Sequence, residues 1–299
     1  MNEINHRLVV PIVRETAERL GMKDFILWIY QPSASPYIDL LKPALSCYDC
    51  VDEYSAMPGA WIQATRAMER KLIKSADAVF TTARSLFEDK KKHNPNTHFV
   101  PNVADFEHFN KTLKAKPARD LAGIPKPIIG YVGALNYKID DGLLDRLFAA
   151  RPDWSFVFVG PDRGFGIERF IGHRNVHFIG RRSIEEMPEF LAAMDVCLIP
   201  YKLDRYTRGV LPMKHYEYLA SGRPVVSHAA AGTGGARGLI DLARTSAEFV
   251  EAIERRLRHD QPADRKKRIA LAKDNSWEKR IRQILSTLEE TWKTKNSAA

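Results

Sequence analysis

Short apolar runs alternate along the chain with longer stretches in which apolar positions recur every three or four residues. In the first part the runs 25–30, 46–51, 78–81 and 97–100 read as strands. Helical spacing covers 6–20 and 58–74, where Ile62, Thr65, Met68, Leu72 and Ile73 keep one face largely apolar. Residues 111–124, rich in Lys, Ala and Pro, read as a linker. A second series follows, with strands at 128–132, 155–159, 176–178, 196–199, 224–227 and 239–242 and helices at 141–150, 184–194, 213–220 and 247–257. Apolar strands separated by amphipathic helices predict parallel sheets covered on both faces. The expected fold class is therefore α/β, with two consecutive Rossmann-like, doubly wound domains. Such domains open with a strand whose following turn faces the ligand crevice. This chain opens with a helix and reaches its first strand at Phe25. The pattern thus predicts an incomplete N-terminal domain, 1–118 with a returning helix at 275–299, and a complete C-terminal one, 119–274.

Composition narrows the class. A chain of 299 residues that is 44% hydrophobic can fill two cores. Three cysteines make no disulfide framework and fit a reducing compartment. No apolar run reaches the roughly 18 residues of a membrane span, and the N-terminus lacks a basic region followed by an apolar one. The expected location is cytoplasmic, with association at the inner face of a membrane as the alternative. The net charge is +9, and residues 251–299 supply most of it, with 13 basic against 8 acidic side chains. Arg255, Arg256, Arg258 and the run Arg265-Lys-Lys-Arg268 read either as a solvated helix face or as an attraction to anionic lipid. Nucleic acid is disfavoured, because no RNP-like string, zinc-finger spacing or basic-aromatic stripe accompanies these charges.

The most informative motif is Pro212-Met-Lys-His-Tyr-Glu-Tyr-Leu-Ala-Ser-Gly-Arg-Pro-Val-Val226. Pro212 suits the first turn of a helix and Gly222 its C′ position. Lys214 and Glu217 share a face, as a cation for phosphate and a carboxylate for sugar hydroxyls, or else as an exposed i,i+3 pair. Gly133 ends a strand and permits close backbone approach, while Lys138 in the same turn could neutralise a diphosphate. Gly160 and Gly180 close later strands in the same way and also read as ordinary turn glycines. The stretch 232–238 resembles a phosphate loop but precedes a strand, so it reads as a loop. Cys47 and Cys50 have redox-motif spacing, yet on a strand they face opposite ways and read as buried apolar residues. Asp49 and Asp52, at a strand end, serve a metal, a hydroxyl or a turn. Zinc-site, P-loop and nucleophile-elbow patterns are absent from the sequence.

At these residues the chain resembles the group 1, nucleotide-sugar-dependent glycosyltransferases of the GT-B fold, from about Phe25 to Trp277. The motif at 212–226 is similar to that family's C-terminal signature. Segments 175–180 and 193–200 resemble its donor-side strands, 48–53, 76–82 and 100–109 its first-domain strand ends, and 275–277 the turn before a helix returning to the first domain. The resemblance implies that Glu217 takes the ribose hydroxyls, and that Gly133 and Lys138 face the donor diphosphate. It places Lys214 and the amides near Pro212 and Met213 at the helix start the donor approaches, and Arg181 and Arg182 beside the base. Asp52 then presents a polar side chain to the transferred sugar, so that Asp52, Lys138 and Lys214 are the catalytic candidates. It further implies retention of configuration, no required cofactor or metal, and a nucleoside diphosphate-sugar donor with a glycan or lipid-linked acceptor of the cell envelope or an exopolysaccharide. One departure stands out: the family commonly carries a second glutamate eight residues before Glu217, where this chain has Gly209, with Arg205 and Arg208 nearby. Two other readings follow from the short N-terminal part and the shared fold: a non-catalytic or partner-dependent protein that binds nucleotide sugar, and a sugar-nucleotide epimerase.

Overall fold

The computed structural model describes residues 3–229, 236 and 238–297. The chain divides into two compact units, Met1–Pro101 with Arg280–Ala299, and Asn102–Lys279.

The first unit runs α1 (Glu3–Arg19), β1 (Ile26–Ile29), α2 (Pro36–Leu41), β2 (Leu45–Cys50), α3 (Ile62–Ser75), β3 (Ala78–Thr81), α4 (Arg84–Lys90) and β4 (Thr97–Phe99). Its strands are parallel and lie in chain order, β1-β2-β3-β4. Alternation along β2 sends Tyr48 and Cys50 into one cluster, with Leu72, Ile73, Val79 and Leu86. It sends Cys47 to the other face, with Phe80, Val100 and Leu288. Both thiols are free and buried, and burial pushes the Cys47 thiol up to about 12.

A buried ion pair ties α3 to α4. Lys90 Nζ lies 2.9 Å from Glu69 Oε2, and the two side chains are almost fully enclosed. The Tyr48 hydroxyl donates to the other carboxylate oxygen at 2.8 Å, so β2 joins the same network.

The second unit runs α5 (Phe106–Asn110), β5 (Ile128–Val132), α6 (Asp141–Ala150), β6 (Ser155–Val159), β7 (Val176–Gly180), α7 (Met187–Ala193), β8 (Val196–Ile199), α8 (Arg205–Arg208), α9 (Lys214–Ala220), β9 (Val225–His228), β10 (Ile240–Ala243), α10 (Ser246–His259) and α11 (Pro262–Asp274). A final helix, α12 (Trp277–Ser297), belongs from Arg280 onward to the first unit. The six strands are parallel, in the order β10-β9-β8-β5-β6-β7. This is the doubly wound arrangement, with the order reversing between β5 and β8. Every residue of β5, β6 and β8 is buried, as a sheet covered on both faces requires.

Residues 111–124 are not a linker. Thr112, Ala118 and Leu121 are buried, Ala118 and Leu121 join the core of the second unit, and the Ala118 N–H donates to the Glu189 carbonyl at 3.1 Å. The division accordingly falls after Pro101, ahead of the expected position 118, and the returning segment starts at Arg280, after the expected 275. A few small or apolar side chains at wide intervals anchor this stretch, and its Lys and Pro content hides them. The helices α2, α4, α5 and α8 also escape the periodicity, because each has only four to seven residues. Of the stretch 232–238 only Ala236 and Gly238 belong to the described residues; the rest of that expected loop lies outside them.

Removing one partner of a buried pair leaves the other charge uncompensated. Glu69→Ala should therefore cost about 3–5 kcal/mol. Urea unfolding followed by tryptophan fluorescence measures this, and the double replacement Glu69→Leu/Lys90→Met should recover most of the loss.

Candidate functional site

The crevice lies at the carboxyl ends of β5 and β8, where a doubly wound sheet binds its ligands. The chain leaves β5 through Gly133 with φ at +143°, and a Cβ there would fall 2.3 Å from Lys214 Nζ. The lysine ammonium thus occupies the space a side chain would fill. Gly160, at the end of β6, has φ at +150°, and a Cβ on it would meet the Gly133 carbonyl oxygen at 2.1 Å. The Gly133 N–H donates to the Val159 carbonyl at 2.7 Å, and the Gly160 N–H to that of Gly180 at 2.9 Å. Only glycine allows these strand ends to approach so closely.

Helix α9 supplies the side chains. Lys214 and Glu217 stand three residues apart on one face. Their charged groups are 3.8 Å apart and about one-sixth exposed, and Lys214 Nζ sits 5.4 Å above the Tyr131 ring. From other faces of the helix, the Tyr218 hydroxyl accepts the Val132 N–H at 2.9 Å, and His215 Nε2 lies 3.1 Å from Ser227 Oγ. The helix ends as expected, with Gly222 left-handed at φ +75° and its N–H on the Leu219 carbonyl at 3.0 Å. Its start differs from the expectation. Met213 is the N-cap, and Pro212 stands before it, with its carbonyl accepting the His215 N–H at 3.1 Å.

The structure therefore brings Gly133, Lys214 and Glu217 together, with Met213 and Pro212 at the helix start. Lys138 shares the loop after β5, but its Nζ rests 5.1 Å over the Tyr206 ring on α8. Its carbonyl accepts the Lys202 N–H at 2.7 Å. Arg182 is held by Asp120, with Nη2 and Nε at 2.5 and 3.1 Å from one carboxylate oxygen, and Arg181 beside it is exposed. An acidic residue 62 positions upstream gives no sign in the sequence of that pairing. Tyr131, Tyr218, His215 and Ser227 were not expected at the site. For Tyr218 and His215 the signal was the motif itself, in which polar side chains interrupt an otherwise buried helix; Tyr131 and Ser227 lie outside it.

In the first unit, Asp52 follows β2, and its carbonyl accepts the Tyr54 N–H at 3.1 Å. Asp49, on β2, accepts from Trp28 Nε1 at 3.3 Å, and burial raises its carboxyl to about 6. Among the described residues no three His, Cys, Asp or Glu side chains form a group that could hold a metal ion.

Strand order and switch-point crevice make the second unit a doubly wound α/β unit, with the lysine–glutamate pair of α9 at the crevice. Residues 126–259 match the family model described as Glycosyl transferases group 1. The chain is 28% identical over 194 residues to TuaH of Bacillus subtilis (strain 168), a protein assigned to teichuronic acid biosynthesis as a glycosyltransferase. The match covers 60% of this chain and 49% of TuaH, so the chain spans about half the length of that relative. Among solved structures it resembles HepE of Anabaena in complex with UDP, with a TM-score of 0.74 and 18% identity over 94% of this chain and 82% of that one. A UDP-forming α,α-trehalose-phosphate synthase of Burkholderia xenovorans gives a TM-score of 0.73 and 16% identity, over 96% and 78% of the respective chains. These likenesses establish the fold as GT-B.

Two outcomes follow. In Gly133→Ala the new methyl displaces the Lys214 ammonium and strains a left-handed backbone. Nucleotide binding by calorimetry should weaken markedly, with a stability loss of about 1–3 kcal/mol. For Asp49, the folded carboxyl holds its proton to about 6, against an ordinary value of 3.8. The folded state therefore binds more protons within that window, so stability is greatest below it and falls as pH rises through it. Asp49→Asn should flatten this fall in chemical denaturation curves recorded between pH 4 and pH 7 (about the range set by the two values).

Proposed function

We propose that the protein is a glycosyltransferase that moves a sugar from a nucleoside diphosphate donor to a cell-envelope or exopolysaccharide acceptor. The observation that carries this reading is the Lys214 ammonium lodged on the Gly133 backbone and 3.8 Å from the Glu217 carboxylate. A carboxylate there offers two oxygens to the paired hydroxyls of a ribose, and the ammonium offers a fixed positive charge to the diphosphate. As the bond from the sugar to the diphosphate breaks, negative charge grows on the leaving oxygen, and a cation already in place stabilises it without reorganising. Lys138 approaches from the same loop as Gly133, and the donor sugar meets the chain near Gly209 and the arginines of α8. The likeness to TuaH supports an envelope polysaccharide as acceptor, and the UDP held by HepE supports a uridine nucleotide.

No helix among the described residues is long and apolar enough to cross a membrane. The net charge of +9 and the exposed Lys266 and Lys267 support a peripheral position on an anionic inner leaflet.

Titration calorimetry of UDP and GDP tests the site. Glu217→Ala should bind the preferred nucleotide about ten- to a hundredfold more weakly, the loss expected when charge-assisted hydrogen bonds are removed. Unchanged binding would overturn the role given to Glu217. Turnover of the donor only when an acceptor glycan is added separates transfer from epimerisation, and no turnover at all would instead favour the non-catalytic reading.

A further inference from the structure

The edge of the second sheet opposite the crevice carries a cleft of its own. Lys126 precedes β5, Asp195 precedes β8 and Arg223 precedes β9, so all three stand at the amino ends of parallel strands. With Gly222, Arg256 and Arg265 they line an open space of about 710 Å³.

The carboxylates in and around this cleft are already engaged. Lys126 Nζ lies 3.0 Å from both oxygens of Asp195, and one of them, Oδ2, also accepts the Ile128 N–H at 2.7 Å. Arg256 pairs with Asp241. Asp260 takes two nitrogens of the fully buried Arg268, at 2.7 and 2.6 Å. Two guanidinium groups are left over: among the described residues neither Arg223 nor Arg265 has a carboxylate within ion-pair distance. Arg223 spends one nitrogen on the Ala192 carbonyl at 2.7 Å, while its Nε is buried without a hydrogen-bond partner among the described residues. Burial holds Arg223 below the ordinary guanidinium pKa, and the like charge of Arg265 adds to this against the opposite pull of Asp195. Gly222 admits Arg265 to this cleft, since a Cβ there would press on Arg265 Cγ at 2.9 Å.

A single carboxylate would neutralise one of these two charges; a phosphate dianion neutralises both, and its oxygens match the guanidinium fork. We propose that this cleft is a second anion site, in which Arg223 and Arg265, flanked by Lys126 and Arg256, bind a phosphate group. Its source is either a free diphosphate or the phosphate of a lipid headgroup. The site is separate from the crevice of Lys214 and Glu217, and it accounts for part of the basic run at 265–268 that the nucleotide crevice does not use.

Inorganic pyrophosphate, titrated calorimetrically at fixed ionic strength, tests this. A Lys214→Ala background removes the cation of the opposite crevice, so the remaining signal reports the amino-end cleft. Arg265→Ala, at an exposed position, should weaken binding at least about tenfold. Lys267→Ala, exposed on the same helix outside the cleft, should change it little. Equal losses in the two variants, or no pyrophosphate binding in the millimolar range before the Arg265 change, would overturn the proposal. In a second arm, sedimentation is measured with phosphatidylcholine vesicles with and without phosphatidic acid. Dependence on Arg265 there assigns the phosphate to a headgroup, and dependence in the pyrophosphate titration alone assigns it to the free anion. Dependence in neither arm also overturns the site.

Discussion

The geometry of the crevice at β5 and α9 depends on one hydrogen bond that belongs to no strand. The N–H of Val132, the last residue of β5, is taken by the hydroxyl of Tyr218 at 2.9 Å. Both residues are buried, so the amide needs a partner and has no water to provide one. The tyrosine sits on α9, one turn beyond Lys214, and the bond fixes the rotation of that helix against the strand end. Once the rotation is fixed, Lys214 and Glu217 can face only the crevice, and the Lys214 ammonium must lie where Gly133 has no side chain. The second contact, His215 with Ser227 on β9, sets the tilt. A helix of seven residues is too short to hold a position by its own stability; these two side chains hold it, together with Asn110 on the Ala220 carbonyl and Arg268 on that of Gly222.

How much of this was legible depends on the physical signal each part leaves. Strands buried on both faces must be apolar throughout, and 78–81, 128–132, 155–159 and 196–199 are found at those bounds. The helix–glycine–strand order of 212–226 announced a crevice element, because a left-handed Gly222 has a strong compositional signature. Short helices leave no such trace. Nor does a stretch such as 111–124, where Ala118 and Leu121 anchor a chain of otherwise polar composition. Arg182, which the resemblance places beside the base, also pairs with a distant aspartate that no local pattern reveals.

The positive charge of the chain looked like one property of its C-terminal part, and the fold distributes it among several roles. Arg255 and Arg256 converge on Asp241 and brace α10 against β10. Arg268 is wholly buried, with nitrogens on Asp260 and on the Gly222 carbonyl, and so secures the turn that ends α9. A charge removed from water in this way persists only because every partner is supplied, which makes Arg268 part of the scaffold of the crevice despite its place in a basic run.

The two edges of the second sheet therefore handle charge by different rules. At the carboxyl edge a cation and an anion stand 3.8 Å apart, partly enclosed, and the pair stays nearly neutral until a ligand enters. At the amino edge the carboxylates are engaged by lysine and by other arginines, and two arginines of one cleft are left without an ion pair among the described residues. Like charges brought together by a fold are costly unless something of opposite sign visits them. The helix turn at Gly222 connects both situations: its carbonyl is held by Arg268, its missing side chain admits Arg265, and its left-handed backbone terminates the helix that presents Lys214 and Glu217. A change at that one glycine would reach both edges of the sheet at once.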